Sequence, residues 1–445
     1  MAVGSFTLDR NVLSWGRIDR EPQHVAAPRF RSELPALMGS SHAGPRLAAG
    51  LRRSYGDSCL NRKGELIDMR NLDRFMAFDP QNGILRAEAG ASLTQILELI
   101  VPHGWFVPTT PGTQFVTLGG AVANDVHGKN HHRAGTFGCH VRSFGLVRGD
   151  GFCGTVARGD HAPLFAATIG GLGLTGIIDW VEIDLKRIPS SYLDVEIVPF
   201  GQLDEYWSLE QDSQNFEHSV AWIDTAASPR KFGRGLFSRA NWRKDDVYEV
   251  RDSSRGLNVM FEAPSFLINS FTVDAFNELY CRVNRGKSGA RREHYSSFFY
   301  PLDAVHNWNR LYGSRGFFQY QCVVPPNVAR SAIERLLKAV IRSRHPSFLG
   351  VLKSFGDRSS PGMLSFPRPG TTLALDFPNR GPQTLSLFSE LDVIVAEAGG
   401  ALYPAKDGRM SSDMFRRSFS RWNEFCALRD HGMSSDFWQR VAQNA

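Results

Sequence analysis

No stretch of about 18 uncharged apolar residues occurs in this chain, so no membrane-spanning helix is expected. The opening residues, MAVGSFTLDRNVLSWGRIDR, lack the basic head and apolar stretch of a secretory signal, and no twin-arginine address stands near the start. Cysteine is scarce, with six in 445 residues, no CxxC and no close metal-ligand spacing. That excludes a disulfide scaffold and predicts reduced, buried thiols and no metal site. Internal repeats and low-complexity runs are missing, which excludes solenoids and long linkers. No GxGxxG follows a first strand, and GxxxxGK[ST] does not occur. The net charge of +6 is mild. It admits acidic ligands or an anionic surface and gives no reason to expect nucleic acid. The expectation is a cytoplasmic protein, at most peripheral at the inner face of the cell membrane.

What is present is ordinary material for a large folded protein: 42% apolar and 22% charged residues, in a length that suits two or three domains. "GELIDM" (64–69) and "GILRAEAG" (83–90) read as strands. Leu93, Ile96, Leu97 and Ile100 then fall on one helical face, with Ser92 and Gln95 as a capping box. "TGIIDWVEIDL" (175–185) reads as a strand. A composition shift follows Pro189. Beyond it, Ala332, Ile333, Leu336, Leu337, Val340 and Ile341 predict one helix. Leu387, Leu391, Ile394, Val395 and Ala398 predict another, with Gly399 at its C-terminal cap. "FFQYQCVVP" and "TTLALDFP" read as buried strands. Phe415, Phe419, Trp422 and Phe425 predict one further helix. The fold class is α+β, with expected domains at 1–190 and 191–399 and a C-terminal segment at 400–445 that returns to the first domain.

Three glycine-rich segments fall in the first half: "AGLRRSYGDS" (49–58), "TPGTQFVTLGGAVANDVHGKNHHRAGTFG" (110–138) and "TIGGLGLTG" (168–176). Glycine lets backbone approach a ligand closely, and successive N–H groups in such loops make concave anion sites. Arg52, Arg53, Ser54 and Thr113 add side-chain donors. Together they have the makings of a pyrophosphate cradle, although each segment alone reads equally well as a tight turn.

These three segments resemble the PCMH-type flavin-binding domain of the vanillyl-alcohol-oxidase superfamily. "DVHGKNHH", "FFQYQCVVP", "SFLGVLKSFGD", "LSFPRPGTTLALDFP" and "LYPAKDGR" extend the resemblance, over nearly the whole chain, to the decaprenylphosphoryl-β-D-ribose 2-oxidase family. The resemblance implies a PCMH-type FAD-binding domain plus a substrate domain with a mainly antiparallel sheet. It implies oxidation of the 2′-hydroxyl of a polyprenyl-phosphoryl ribofuranose to a ketone, the first step of epimerisation to the arabinose form. A partner NAD(P)H-dependent keto-sugar reductase would complete that epimerisation. FAD would be contacted by Arg52, Arg53, Ser54, Tyr55, Gly56, Gly112, Thr113, Thr117, Gly119 and Gly120, and further on by Asn124, His131, His132, Gly135, Gly173, Ile178 and Tyr403.

The resemblance also implies roles near the reacting carbon. Lys406, in "AKD", matches the family's active-site lysine and would stabilise negative charge at the flavin. His127 matches the histidine of "HGK", as base or substrate contact, with a purely structural histidine as the alternative. Lys129 would meet phosphate or sugar oxygens. Gln319 and Gln321, two apart on a strand, share one face. Trp222, Lys353, Phe355, Thr372, Ala374 and Asp376 match pocket positions.

Two departures from the pattern matter. Relatives that attach FAD covalently carry a histidine where this chain has Arg53, so the FAD is expected to be non-covalent. Well-known family members have cysteine and asparagine where this chain has Ala374 and Thr372, which weakens the case for an identical sugar. A sugar-alcohol or aldonolactone oxidase on the same fold, and a non-catalytic flavin- or lipid-binding relative, stand as alternatives. Finally, "RKFGRGLFSRANWRK" (230–244) combines six basic residues with Phe232, Phe237 and Trp242, and is expected to dock on an anionic membrane.

Overall fold

The computed structural model describes residues 5–39, 44–226, 232–252, 256–264, 268–285, 289–347 and 349–442. The first part of the chain builds two sheets. Strands β1 (Thr7–Asp9), β2 (Gln23–Ala26), β3 (Arg46–Ala49) and β4 (Glu65–Asp68) form a four-stranded sheet in the order β1-β2-β4-β3, with β4 parallel to both of its neighbours. Strands β5 (Phe75–Asp79), β6 (Ile84–Glu88), β8 (Val141–Val147), β9 (Cys153–Ala157) and β10 (Ile177–Asp184) form an antiparallel sheet in the order β5-β6-β10-β8-β9. A short pair, β7 (Trp105–Phe106) with β11 (Lys186–Arg187), flanks them. Helices α1 (Leu34–Gly39), α2 (Leu93–Ile100), α3 (Leu118–Ala123), α4 (His131–Ala134) and α5 (Ala162–Thr168) connect and cover these sheets. The capping box read from Ser92 and Gln95 is formed at α2, whose Leu93, Ile96, Leu97 and Ile100 are buried.

After Pro189 the chain enters one eight-stranded sheet. It contains β12 (Tyr192–Phe200), β13 (His218–Ile223), β14 (Gly235–Trp242), β16 (Gly289–His294), β18 (Phe317–Val324), β19 (Gly350–Phe355), β20 (Gly370–Pro378) and β21 (Ala401–Leu402). Its order is β16-β12-β14-β13-β19-β20-β18-β21, and each neighbouring pair is antiparallel. A small parallel pair, β15 (Leu257–Asn258) with β17 (Val305–His306), lies outside it. The helices of this part are α6 (Leu203–Asp212), α7 (Ser270–Arg285), α8 (Tyr295–Phe299), α9 (Ala329–Ser343) and α10 (Pro382–Glu397).

The period of two along each strand divides the eight-stranded sheet into two faces. Tyr320, Cys322, Leu352, Leu373, Leu375 and Phe377 point to one face, where they form a core with Ile333, Leu336 and Leu337 of α9 and Leu387, Leu391 and Val395 of α10. The opposite face carries the polar residues of "QYQ" and "TLALD" and turns toward the glycine-rich loops. Helix α10 ends as read, with Gly399 at φ +66° just past its last turn.

Three expectations are corrected here. The aromatic stripe after Ser411 belongs to two helices, α11 (Ser412–Ser418) and α12 (Trp422–Leu428). The helix stops because Arg368 donates to the Ser418 carbonyl (2.7 Å), while Phe419 adopts an extended conformation that carries its ring into the core. The thiols are free, but only Cys281 and Cys322 are buried, and Cys153 is exposed. The segment proposed to dock on a membrane is mostly β14, an interior strand paired on both edges. Phe237 and Trp242 are buried. Arg234 pairs with Asp224 and Glu278, Arg239 with Glu196 and Arg243 with Asp194. Arg230 and Lys231 lie outside the described residues.

The last segment ties the sheet back to the first part of the chain. Helix α13 (Asp436–Val441) sits beside the first glycine loop, where Asp436 bonds Arg62 and Arg440 bonds Asp57. No described helix is long and apolar enough to cross a membrane.

Candidate active site

Steric contacts bring the three glycine loops together. A Cβ on Gly50 would lie 2.1 Å from the Thr117 side chain, which joins the first loop to the second. Gly173, at φ +75°, comes against Leu47 of β3, which joins the third loop to the strand leading into the first. A Cβ on Gly56 would meet the Asp407 carbonyl at 1.7 Å, and Tyr55 donates its N–H to Ala405 (3.0 Å). Tyr55 and Lys406 thus come from one junction of two loops.

Around this meeting point the backbone is bare. Among the described residues, the N–H groups of Arg52, Arg53, Ser54, Gly112, Thr113 and Gly173 find no acceptor in the protein. A Cβ on Gly112 would meet nothing within 4 Å. Thr117 caps α3, accepting from the Gly120 N–H (3.2 Å). Convergent unpaired donors beside a helix start suit a phosphate-bearing ligand.

The side chains expected to touch a cofactor divide into two groups. Tyr55 is buried, and Asn124 holds the Gly120 carbonyl (2.9 Å) while its own carbonyl accepts from the Tyr403 hydroxyl (3.0 Å). Ile178 is buried in β10. The other side chains differ from expectation because they are already committed elsewhere. Arg52 pairs with Asp68 and contributes a backbone turn at φ +50°. Arg53 lies over the rings of Trp15 (4.0 Å) and Phe115 (5.2 Å), which pins the loop beside its unpaired backbone N–H. Gly119 is where helix α3 packs against Ala89. His131 accepts from the Gly356 N–H (3.2 Å) and packs on Phe355, whereas His132 bonds the Phe216 carbonyl (3.0 Å). Gly135, at φ +71°, ends α4 beside Cys139 and Arg358. His131, His132 and Gly135 therefore join the two parts of the molecule, with the buried His131 Nε2 unpaired among the described residues.

The polar face of the sheet meets these loops from the other side. Antiparallel register aligns Gln321, Ala374, Val351 and Trp222 in one row across four strands. Thr372 and Lys353 pair in the neighbouring row, and Gln319 pairs with Asp376 two residues the other way. Directly paired residues share a face, so the predicted pocket positions on β13, β18, β19 and β20 point together.

His127 stands where loop and sheet meet. Its Nδ1 is 2.8 Å from Lys353 Nζ, and its Nε2 is 3.2 Å from Gln321 Nε2. Lys353 also donates to the Gly128 carbonyl (3.0 Å), and Gln321 to Thr372 Oγ1 (3.2 Å). The His127 ring packs against Phe355 (4.8 Å) and Tyr403 (5.6 Å). Lys406 Nζ lies 4.0 Å from the centroid of the Tyr55 ring. Gln319 donates to Asp376 Oδ1 (2.5 Å) and bonds the Tyr55 hydroxyl. Lys129 donates to the Phe298 carbonyl with its ammonium over the Phe298 ring.

Electrostatics here are lopsided. Burial holds Lys353 down to about 7, helped by Lys129 and Lys406, and Lys129 down to about 8. Burial also lowers Lys406, against the pull of Asp376. His127 is kept well below the ordinary histidine value by burial and then by Lys353, His131 and Lys406, so it is neutral. Asp376 is raised by burial despite Gln319 and Lys406, and its Oδ2 has no hydrogen-bond partner. Three lysines outnumber the one carboxyl group, Asp376, on this face of the sheet, so the site favours anions.

Some participants escaped the sequence reading. Phe366 stacks on Tyr403 (4.6 Å), and Asp303 accepts from the Gln114 N–H (2.8 Å) beside Thr113. Arg440 holds Asp57 and Asp407 at the junction of the loops. No motif marks them, since each works through contacts distant in sequence.

The sequence is similar to those of known proteins. A family model described as an FAD binding domain matches residues 22–156. The decaprenylphosphoryl-beta-D-ribose oxidase of Mycolicibacterium smegmatis (strain ATCC 700084 / mc(2)155) is 36% identical, over 98% of each chain. This chain belongs to the decaprenylphosphoryl-β-D-ribose oxidase family. It is an FAD-dependent oxidoreductase with a PCMH-type FAD-binding fold. A Streptomyces coelicolor protein described only by its position in the mprA 5′ region is 32% identical, over 76% of this chain and 95% of its own. A D-lactate dehydrogenase of Anaerostipes hadrus matches more narrowly, at 28% over 36% of this chain and 34% of its own. The bare loops offer unpaired donors, and the sheet face opposite them is lined by lysine.

Proposed function

We propose that the enzyme oxidises the 2′-hydroxyl of a polyprenyl-phosphoryl-β-D-ribofuranose to the 2′-keto sugar. The observation that carries this reading is the His127–Lys353–Gln321 cluster, formed where loop and sheet meet, with Lys406 held over Tyr55 at the junction of the loops. In this reading residues 1–190, with the return of 400–445, hold the cofactor, and residues 191–399 hold the sugar. FAD bound there supplies the two-electron acceptor for the carbinol hydride.

The chain's own residues handle protons and charge. With Lys353 neutral, His127 carries its proton on Nδ1 and donates to Lys353, leaving the Nε2 lone pair for the substrate hydroxyl now replaced by the Gln321 amide. A proton taken at Nε2 is offset by release from Nδ1 to Lys353. Lys406, held against Tyr55, supplies positive charge where negative charge gathers. Lys129 turns from the Phe298 carbonyl to meet phosphate or sugar oxygens. Gln319, Thr372 and Asp376 fix the sugar's remaining hydroxyls. Arg53 in place of an attachment histidine keeps FAD non-covalent.

The lipid-linked substrate calls for peripheral contact with a membrane. The reactive keto product calls for a partner reductase that uses a nicotinamide cofactor. A sugar-alcohol or aldonolactone oxidase has less support, because three lysines exceed what a neutral polyol needs. A non-catalytic relative has no use for a neutral histidine linked to a lysine that burial holds down to about 7.

Anaerobic mixing tests the proposal. A prenyl-phosphoryl ribofuranose is expected to bleach the flavin absorbance, and acid precipitation to release free FAD. Bleaching by free sugar alcohols or aldonolactones alone would refute the substrate assignment.

A further inference from the structure

The largest exposed apolar side chains of the described residues are concentrated in one stretch. Leu257, Met260 and Phe261 are 76%, 67% and 81% exposed, and Phe271 and Leu279 on α7 are 83% and 61% exposed. Helix α7 buries Val273, Asn277 and Cys281 and, unlike an ordinary surface helix, exposes several large apolar side chains among its polar ones. Its inner face is pinned by polar bonds: the buried Asn277 donates to Asp224 (2.7 Å), and Asp224 also holds Arg234. Phe276, Leu279, Tyr280 and Val283 form an outward stripe at helical spacing, each at least 39% exposed.

This surface is continuous with the active site along two walls. Trp222 stands in the row with Ala374 and Gln321, and its ring meets Tyr280 (5.0 Å), which stacks on Phe276 (5.9 Å, 16°). On the second wall, β15 pairs with β17, which leads into Trp308. Trp308 packs on Phe317 (5.5 Å), and Phe317 on Tyr55 (5.2 Å), the ring beneath Lys406. Two exposed apolar segments therefore hang from aromatic contacts that begin at the cation-lined pocket.

We propose that 257–261 and the outward stripe of α7 form a lipid-docking surface that dips into a bilayer, and that the Trp222–Tyr280–Phe276 ladder guides the prenyl chain from the bilayer to the pocket. The inference rests on the proposed substrate. Its occupant is a lipid surface, because the only apolar portion of such a substrate is its chain, and the ladder leads outward from where the sugar phosphate would sit. A second copy of the chain seated on this face would close the route.

The test uses the FAD-loaded full chain and the triple variant Phe261→Ser/Phe271→Ser/Leu279→Ser, whose positions are too exposed to support the fold. Sedimentation with phosphatidylcholine–phosphatidylglycerol vesicles is expected to show wild-type binding that weakens roughly tenfold or more in the variant. Turnover of a water-soluble short-chain prenyl-phosphoryl ribose is expected to be equal in both, while turnover of a long-chain substrate embedded in vesicles falls in the variant. Equal vesicle binding by the two proteins would overturn the inference, as would a wild-type dimer that the variant loses without any vesicle binding. If the wild type oxidises neither substrate, the proposed function fails, and vesicle binding still decides the docking surface.

Discussion

At the scale of the residue, the site is a problem of charge. Lysines whose ammonium groups are held down by burial are costly unless an anion arrives or a proton task uses them. Lys406→Ala is expected to keep the fold and bound FAD and to slow flavin bleaching by substrate about 10²-fold or more. Rapid-mixing absorbance measures it, and a wild-type rate would remove Lys406 from the reaction. Lys353 makes a separate prediction. As a proton acceptor it works in its neutral form, so the rate of bleaching should rise with pH through about 7, the value burial gives it. Negative charge from bound cofactor raises that midpoint, so the decisive comparison is with Lys353→Met, which should lose the acid limb altogether. Persistence of the same limb in Lys353→Met would assign it to another group. His127, Lys353 and Lys406 were nameable from motifs because each sits in a short distinctive string. The commitments of Arg53, His131 and His132 were not, since a guanidinium over Trp15 or an imidazole on the Phe216 carbonyl depends on partners that no local pattern reveals.

At the scale of the element, the strands carry the argument. Alternation along β18 and β20 assigns Gln319, Gln321, Thr372, Ala374 and Asp376 to one face from sequence alone, and the register joins them to β19 and β13. The same alternation turns Cys322 into the helix-covered core, where burial pushes its thiol up to about 12. Ala374→Cys is therefore expected to react with a small maleimide in the FAD-free protein, and Cys322 is not. Peptide mapping by mass spectrometry distinguishes the two, and a label on Cys322 would mean that the faces are exchanged. The change adds one sulfur atom, so oxidase activity should persist. Periodicity was less informative where tertiary bonds override it. The stripe from Phe415 to Phe425 predicts one helix, but Arg368 takes the Ser418 carbonyl and the chain turns. The basic, aromatic run before Lys244 has the composition of a membrane anchor. Its place inside the sheet follows from strand pairing, which composition does not encode.

At the scale of the whole molecule, the two parts are joined by the chain's last helix. Arg440 makes two bonds to Asp57 (2.7 and 3.1 Å) and one to Asp407 (3.0 Å), linking the loop that carries Tyr55 to the loop that carries Lys406. Its side chain is a quarter exposed, so removing it should cost on the order of 2–3 kcal/mol, below the range for fully buried pairs. Arg440→Ala is expected to melt earlier and to lose FAD more readily, with Arg440→Lys recovering part of both. Calorimetry and fluorescence of released flavin read the two effects. An unchanged melting point would mean that the loops hold without the clamp. The central claim is that this assembled site removes the hydrogen from C2 of a prenyl-phosphoryl ribofuranose. Deuterium at C2 tests it most directly. Anaerobic flavin bleaching should slow several-fold with the 2-deuterated sugar and remain unchanged with the 3-deuterated one. An effect at C3 instead, or at neither carbon in a reaction limited by chemistry, would contradict the account.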